Sequence, residues 1–193
     1  MRLCVFLSVA FIAGAIAGPA ICGAPEGENL LAPLPQGFKV AASNRQPRML
    51  FVEYVPVGET VQDWSRMVTH QILFGVHKAD PDSLPRNMAA GWVASCPGGG
   101  AQKVHAGVER GYAVSIWMFL CPLNPATQRP ENAWMKVISG DDSLYAVQYA
   151  HRSEATPAIV PPTMAYLQRI ALCDTRKVEA KCPDMGDGSA RKP

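Results

Sequence analysis

Six cysteines carry most of the reactive chemistry that this sequence could offer. They are Cys4, Cys22, Cys96, Cys121, Cys173 and Cys182. A dithiol redox centre and a structural zinc site are both disfavoured, because there is no Cys-x-x-Cys pair and the four later cysteines lack paired ligand spacing. In an oxidising compartment an even set of cysteines forms disulfides. The sequence favours Cys96 with Cys121 and Cys173 with Cys182, since the second pair closes a short local loop.

Histidine is sparse, and its spacing does not match a metal site. The four histidines are His70, His77, His105 and His151. A helix that supplies two ligands to one metal ion does so with His-x-x-x-His spacing, which the chain lacks. The sequence therefore predicts ordinary surface or partly buried histidines, with no metal ion and no other cofactor.

Hydrolytic and phosphate-binding signatures are also missing. Asp141, Asp142, Ser143 and His151 fall near one predicted hairpin, but there is no Gly-x-Ser-x-Gly nucleophile turn. We expect the paired aspartates to form a solvated turn. The glycine run 98–100 follows a predicted helix and lacks the Lys and Ser or Thr of a phosphate loop, so it predicts a flexible link. No catalytic residue is assigned from the sequence.

Four aromatic residues on predicted strands could be either core or pocket. Trp117 or Trp134 could line a pocket against Tyr145 or Tyr149. Core packing is the favoured interpretation, because half-buried strands are rich in aromatic residues.

The first 24 residues have the pattern of an export signal. Arg2 precedes an uncharged apolar run over residues 3–17, and small residues follow. The run is shorter than the roughly 18 to 20 apolar residues that span a bilayer, so we expect a soluble mature protein with no transmembrane segment. Cleavage fits after Ala17 or after Ala24. The later site is favoured because it leaves four cysteines, while Cys22 as a lipid-anchored first residue is a lesser alternative.

Composition predicts one domain. About 170 residues remain after the signal peptide, which suits a single domain with a substantial core. The formal net charge of +2 gives no reason to expect nucleic acid or an anionic membrane as a partner. The predicted organisation is a signal peptide over 1–24, an irregular lead-in over 25–33, a single α+β domain over 34–182 and a flexible tail over 183–193.

Hydrophobic periodicity predicts a β-β-α-α-β-β-β-β-α order, in which helices flank a largely antiparallel sheet of about six strands. The predicted strands are 37–42, 49–55, 102–109, 112–121, 133–139 and 143–152. The predicted helices are one that begins at Thr60 and ends by Gly75, one from 82 or 85 to 95, and one from 161 to 172.

Two details of this sheet follow from its turns and its apolar runs. The strand 112–120 is bulky on both faces, which predicts a central, covered position. A tight turn at 139–142 predicts that Lys136 lies opposite Tyr145 and that Trp134 lies opposite Val147.

The segments 34–38, 59–67 and 163–172, in this order of elements, resemble the PsbP-like fold. The resemblance concerns layout and frames residues 34–172. It implies a binding or assembly module with no shared catalytic set, so no functional residue is carried over. The segments around Trp64 and Trp134 are also similar to those of uncharacterised exported bacterial proteins.

These observations together predict an exported, non-enzymatic binding or assembly module that is stabilised by disulfides. We expect it in the bacterial periplasm or outside the cell, where it acts on a protein or a small-molecule ligand. The alternatives are a small extracytoplasmic hydrolase and a secreted factor that acts on a host. A deep pocket with converging polar groups that include His151 would favour the hydrolase.

Overall fold

A computed structural model describes residues 26–183. The predicted signal peptide and its cleavage sites, together with residues 184–193 of the predicted tail, lie outside the described residues. The elements are β1 (Glu28–Leu31), β2 (Phe38–Gln46), β3 (Met49–Pro56), β4 (Arg66–Phe74), α1 (Ser83–Ser95), β5 (Gly100–Glu109), β6 (Tyr112–Leu120), β7 (Asn132–Ser139), β8 (Ser143–His151), α2 (Val160–Gln168) and β9 (Ala171–Asp174). Within residues 26–183, no helix is long and apolar enough to cross a bilayer.

Seven strands form one antiparallel sheet in the order β2-β3-β4-β8-β7-β6-β5, and β1 pairs with β9 in a separate two-stranded sheet. The predicted α+β class with a largely antiparallel sheet is therefore confirmed. The centre of the large sheet is β8, however. The strand predicted at 112–120 is covered on both faces, as expected, because Ile116 belongs to one core and Phe119 to the other, but β6 is second from the edge and not at the centre.

The two faces of the large sheet are covered by different elements. On one face, Val68, Trp134 and Tyr149 pack against Leu167 and Ile170, which lie in and just after α2. On the other face α1 lies over β5 and β6, where the Trp92 and Phe119 rings are 5.4 Å apart. Strand residues alternate between these two cores, as the two-residue period of a strand requires.

The helix predicted from Thr60 was wrong, because most of that segment is β4. The local start signal is present: the Thr60 hydroxyl accepts a hydrogen bond from the Asp63 amide at 3.1 Å. Only a turn follows, since the chain then pairs with β3 on one side and β8 on the other. The β-branched residues Val68, Thr69 and Ile72 suit that strand. Pairing on both sides outweighs the local helical spacing.

Both ends of the domain differ from the prediction, because distant segments pair there. The lead-in predicted to be irregular contains β1, which pairs with β9. The last helix ends at Gln168 instead of 172, and β9 follows it. Neither strand has a local hairpin partner, so only the folded chain brings them together.

The predicted register between β7 and β8 was wrong by two residues. Lys136 lies opposite Val147, and Trp134 lies opposite Tyr149. The turn is closed by a hydrogen bond of 2.9 Å from the Gly140 amide to the Ser143 carbonyl. Its centre is therefore one residue later than predicted, and this displaces every cross-strand pair by two.

Residues 26–183 contain two disulfides, in the pairing that the sequence favours. Cys96–Cys121 joins the end of α1 to the end of β6, with Cα atoms 5.6 Å apart. Cys173–Cys182 joins β9 to the segment after it, with Cα atoms 4.7 Å apart. Both Cα separations lie within the usual range for a disulfide.

Candidate functional site

The possible hydrolytic group at the β7–β8 turn does not come together. Ser143 and His151 are the first and last residues of β8, so the length of the strand separates them. The two aspartates of the turn form ion pairs instead. Lys177 Nζ lies 2.5 Å from an Asp141 carboxylate oxygen, and Arg176 Nη2 lies 2.6 Å from one of Asp142. This turn is a charged link to the segment after β9, in agreement with the solvated-turn interpretation.

The other histidines are far from any cluster of ligands. The His70 ring in β4 lies 4.8 Å from the Tyr54 ring, and burial lowers the His70 pKa to about 4. His77 Nδ1 lies 2.8 Å from the Asp141 carbonyl oxygen, and His105 is exposed on β5. No group of three or more His, Cys, Asp or Glu side chains in the described residues could hold a metal ion.

The tryptophans predicted to be core differ in their burial: Trp64 and Trp134 are buried, whereas Trp92 and Trp117 are partly buried. Trp134 is 1% exposed. The Trp117 indole donates a hydrogen bond of 2.8 Å to Asp82. Neither lines the pocket that Tyr149 helps to form.

His151 lies in a pocket of about 470 Å³ at the end of β8. We call it the arginine–tyrosine pocket. It is lined by Pro35, Ser65, Arg66, Tyr149, His151, Arg152, Ser153, Ala158, Ile159, Pro162, Thr163, Tyr166 and Arg169. A pocket of this volume is large enough for a small molecule.

Strand register and helix spacing build the pocket. In the β4–β8 pair Arg66 lies opposite His151, so both side chains are on the face that α2 covers. Thr163 and Tyr166 are three residues apart on α2, and Arg169 follows after three more. This spacing places all three on one side of a helical turn.

The imidazole of His151 is held on several sides. Its Nε2 atom lies 2.9 Å from the Thr163 hydroxyl oxygen, and its ring stacks on Tyr149 with centroids 4.5 Å apart. Burial, with the positive charge of Arg66, lowers the His151 pKa to about 4. The ring is therefore neutral at neutral pH. In residues 26–183, no carboxylate forms a hydrogen bond with His151.

Tyr166 has a buried hydroxyl group without a hydrogen-bond partner among residues 26–183. The residue is 3% exposed, and its ring meets that of Tyr149 edge to face at 5.1 Å. Burial raises the Tyr166 pKa far above its ordinary value, so the hydroxyl keeps its proton. An unsatisfied buried polar group costs about 1 to 3 kcal/mol. Tyr166 therefore carries a donor without a partner in the described residues, and the residue itself lines the pocket.

Of the described residues, three arginines and no acidic residue line the pocket. Arg152 is already occupied, because it pairs with Glu131 at 3.4 Å and lies 4.1 Å above the Trp64 ring. Neither Arg66 nor Arg169 forms an ion pair within the described part of the chain, although Arg66 lies over the Phe38 ring. The local charge of the pocket is positive.

The charge of Arg66 also reaches Glu59, which does not line the pocket. Burial acts to raise the Glu59 pKa, but hydrogen bonds from Ser65 and the charge of Arg66 leave it below its ordinary value. Glu59 accepts the Ser65 amide and hydroxyl at 2.7 Å, so its carboxylate is held by the loop.

Sequence analysis identified His151 and Tyr149 but missed the residues that make the pocket distinctive. Arg66 was placed on a helix that does not exist. The apolar spacing of the last helix marks Met164 and Leu167, and it gives Thr163, Tyr166 and Arg169 no separate signal. Their three-residue spacing is the signal that could have found them.

No protein-family model matches the sequence, and no curated protein matches it at a significant level. Among solved structures, the chain is similar to LpqN, a protein involved in cell envelope biogenesis of Mycobacterium tuberculosis. The two are 15% identical with a TM-score of 0.42, over 80% of this chain and 88% of LpqN. A likeness of this size carries no functional argument, and the PsbP-like resemblance stays a prediction.

Proposed function

We propose that this chain is an exported, non-enzymatic binding module whose arginine–tyrosine pocket holds a small organic anion with an apolar body. The observation that carries the proposal is that Arg66 and Arg169 line the pocket without an ion pair in the described residues, next to Tyr166, whose buried hydroxyl has no hydrogen-bond partner there. A bound anion would accept hydrogen bonds from the two guanidinium groups, and an anion oxygen that reached the hydroxyl would satisfy it.

Charge and shape select the ligand class. Guanidinium groups such as those of Arg66 and Arg169 recognise carboxylate, phosphate or sulfonate with paired hydrogen bonds. The rings of Tyr149 and Tyr166 meet edge to face in the same pocket, and they offer an apolar surface to the rest of the ligand. An anion joined to an aromatic or aliphatic body fits both properties.

The hydrolase alternative is less well supported. A general base acts best with a pKa near the working pH, whereas the His151 pKa is about 4. Its partner Thr163 is 1% exposed, so the hydroxyl is poorly placed for attack on a substrate. The His151–Thr163 contact is better explained as a structural link that shapes the pocket.

Export is supported by the signal-like residues 1–24 and by the two disulfides. Disulfides persist in oxidising compartments. The proposed location is therefore the bacterial periplasm or the outside of the cell.

Calorimetric titration at neutral pH would test the anion site with three naphthalene probes of similar size. These are the anion naphthoate, the neutral naphthylmethanol and the cation naphthylmethylammonium. We expect Arg66→Gln and Arg169→Gln each to weaken naphthoate binding about ten-fold, in line with a hydrogen bond to a charged group. Arg86→Gln, on the exposed surface of α1, is the matched control. Equal affinity of the parent for naphthoate and naphthylmethanol would refute an anion site.

Tyr166→Phe separates binding from stability. Removing an unsatisfied buried hydroxyl should leave the free energy of unfolding unchanged or raise it, while naphthoate affinity falls. An unchanged affinity would contradict a ligand contact at this hydroxyl. Turnover of a p-nitrophenyl ester that Thr163→Val or His151→Gln abolishes would instead support the hydrolase.

A further inference from the structure

A second cleft, of about 530 Å³, lies on the opposite face of the large sheet. Its floor is formed by β3, β4, β7 and β8, and its walls include Trp64 from the loop before β4 and Met88 from α1. We call it the glutamine cleft, after Gln71 and Gln148 on its floor. It is separate from the arginine–tyrosine pocket, although Arg152 lines both.

A row of polar side chains crosses the floor of the glutamine cleft. Glu53 lies opposite Thr69, and Thr69 lies opposite Gln148. The neighbouring row is apolar, with Met67 opposite Ala150. An inward sheet face normally carries apolar residues, since polar groups removed from water cost free energy unless they are hydrogen-bonded. Here Glu53 and Gln148 are only half-buried, so the polar row stays accessible to a ligand in the cleft.

Glu53 brings an unbalanced negative charge to the cleft. Burial raises the Glu53 pKa, and no basic side chain in the described residues forms an ion pair with it. Arg152 is the one basic residue in the described part of the chain that lines the cleft, and it is held by Glu131 at 3.4 Å and by the Gln62 carbonyl at 2.9 Å. A positive group on a ligand would supply the charge that Glu53 lacks.

The walls of the cleft suit an apolar body. Met67, Met88 and Met135 line it together with Leu84 and Trp64. Methionine side chains are flexible and polarizable, so they adapt to ligands of different shape. The Gln71 amide makes one weak contact, 3.7 Å from the Met49 sulfur, and can still bond to a ligand.

We propose that the glutamine cleft binds a small organic cation, a protonated amine on an apolar body. The ammonium group donates hydrogen bonds to the Glu53 carboxylate. The side chains of Thr69, Gln71 and Gln148 bind polar substituents next to the amine, and the methionines pack against the rest. This site is independent of the anion pocket, and each can fail without the other.

The naphthalene probes test both sites in one experiment on the full chain. We expect the parent to bind naphthylmethylammonium about ten-fold more tightly than naphthylmethanol, as for a charge-assisted hydrogen bond. Glu53→Gln should remove that difference and leave naphthoate binding unchanged. Arg66→Gln should weaken naphthoate binding and leave the difference between naphthylmethylammonium and naphthylmethanol unchanged. Glu179→Gln, at an exposed position, is the charge-matched control.

Two further measurements keep the outcome clear. Urea unfolding of the Glu53→Gln variant should show that it folds, since the change preserves shape and removes the charge of a half-buried side chain. Saturating naphthoate should not displace the ammonium probe. The proposal is overturned if the parent binds ammonium and alcohol equally, if Glu53→Gln keeps the ammonium affinity within two-fold, or if the two charged probes compete.

Discussion

The Nε2 atom of His151 and the Oγ1 atom of Thr163 lie 2.9 Å apart, and both side chains are buried. This hydrogen bond joins the last residue of β8 to the first half of α2. Because α2 also carries Tyr166, the shape of the arginine–tyrosine pocket depends on a neutral imidazole. The same contact therefore links the pocket to the pH dependence of stability.

We expect stability to fall as the pH is lowered from 6.5 towards 4, partly through His151. Its pKa is lowered to about 4 in the folded chain and is about 6.5 when unfolded, so within this window only the unfolded state takes up the proton. The stabilising contribution is complete above pH 6.5. The loss by pH 4 is about 3 kcal/mol. Urea unfolding across this pH range should show that the free energy of unfolding falls less steeply with decreasing pH for His151→Gln than for the parent.

His105→Gln is the control for this pH series, because His105 is exposed on β5. It should leave the slope unchanged. His70 also has a pKa lowered by burial to about 4, so part of the slope should survive in His151→Gln. A slope equal to that of the parent in His151→Gln would show that this imidazole is not buried in its neutral form.

Lys136 is fully buried on β7, and its charge is balanced by Glu109. Its Nζ atom donates to the Glu109 carboxylate at 2.6 Å and to the Ile170 carbonyl at 2.8 Å. Glu109→Gln leaves a buried cation without its counter-charge, and we expect a loss of about 2 kcal/mol. This is below the range for fully buried pairs, because Glu109 is partly exposed. Lys136→Met should cost less, since it removes the charge.

Urea unfolding of these two variants checks whether Glu109→Gln lowers the free energy of unfolding more than Lys136→Met does. The double variant Lys136→Met with Glu109→Gln should be no less stable than Glu109→Gln alone. A larger loss for Lys136→Met than for Glu109→Gln would indicate that packing of the lysine stem outweighs its charge.

Local patterns in the sequence were sufficient for the elements that have local partners. The hairpin β2–β3 and the run β5 to β8 pair with neighbours along the chain, so alternation and turn residues located them. The segment around Val68 satisfies helical spacing as well as strand alternation. Its partner β8 lies far along the chain, and that pairing decided in favour of a strand. A sequence alone does not show whether pairing with a distant strand outweighs local helical spacing.

The candidate sites show the same limit. His151 and Tyr149 are candidates from the sequence because a histidine and an aromatic residue on a predicted strand can line a pocket. Arg66 became part of the pocket only through its pairing with His151 across β4 and β8. The row that contains Glu53 and Gln148 likewise depends on the order of strands in the sheet. The sequence shows which residue types are present, but strand pairing decides which of them lie close together.

Glu28 on β1 should stabilise the turn between β7 and β8. Its carboxylate accepts hydrogen bonds from the amides of Asp141 at 2.5 Å and Asp142 at 3.1 Å, and from the Tyr145 hydroxyl at 3.1 Å. Glu28→Ala removes all three, and we expect a loss of about 2 to 3 kcal/mol. Hydrogen exchange at the two amides should accelerate. Glu26→Ala, at an exposed position, should change neither quantity.

The two disulfides should contribute unequally to stability. They join cysteines separated by 25 and 9 residues, and the entropy of closing a loop grows with its length. Replacing Cys96 and Cys121 by serine should cost about 3.5 kcal/mol, and replacing Cys173 and Cys182 about 2.6 kcal/mol. Urea unfolding of the two double variants measures this difference.

Non-reducing peptide mapping checks the pairing itself. Trypsin can cut after Lys177, between Cys173 and Cys182, so a linked pair of peptides should appear that separates on reduction. A fifth, free thiol in the exported protein would show that cleavage after Ala17 retains Cys22. Four free thiols at the described cysteines would contradict the disulfides, and with them the argument from disulfides for an oxidising compartment.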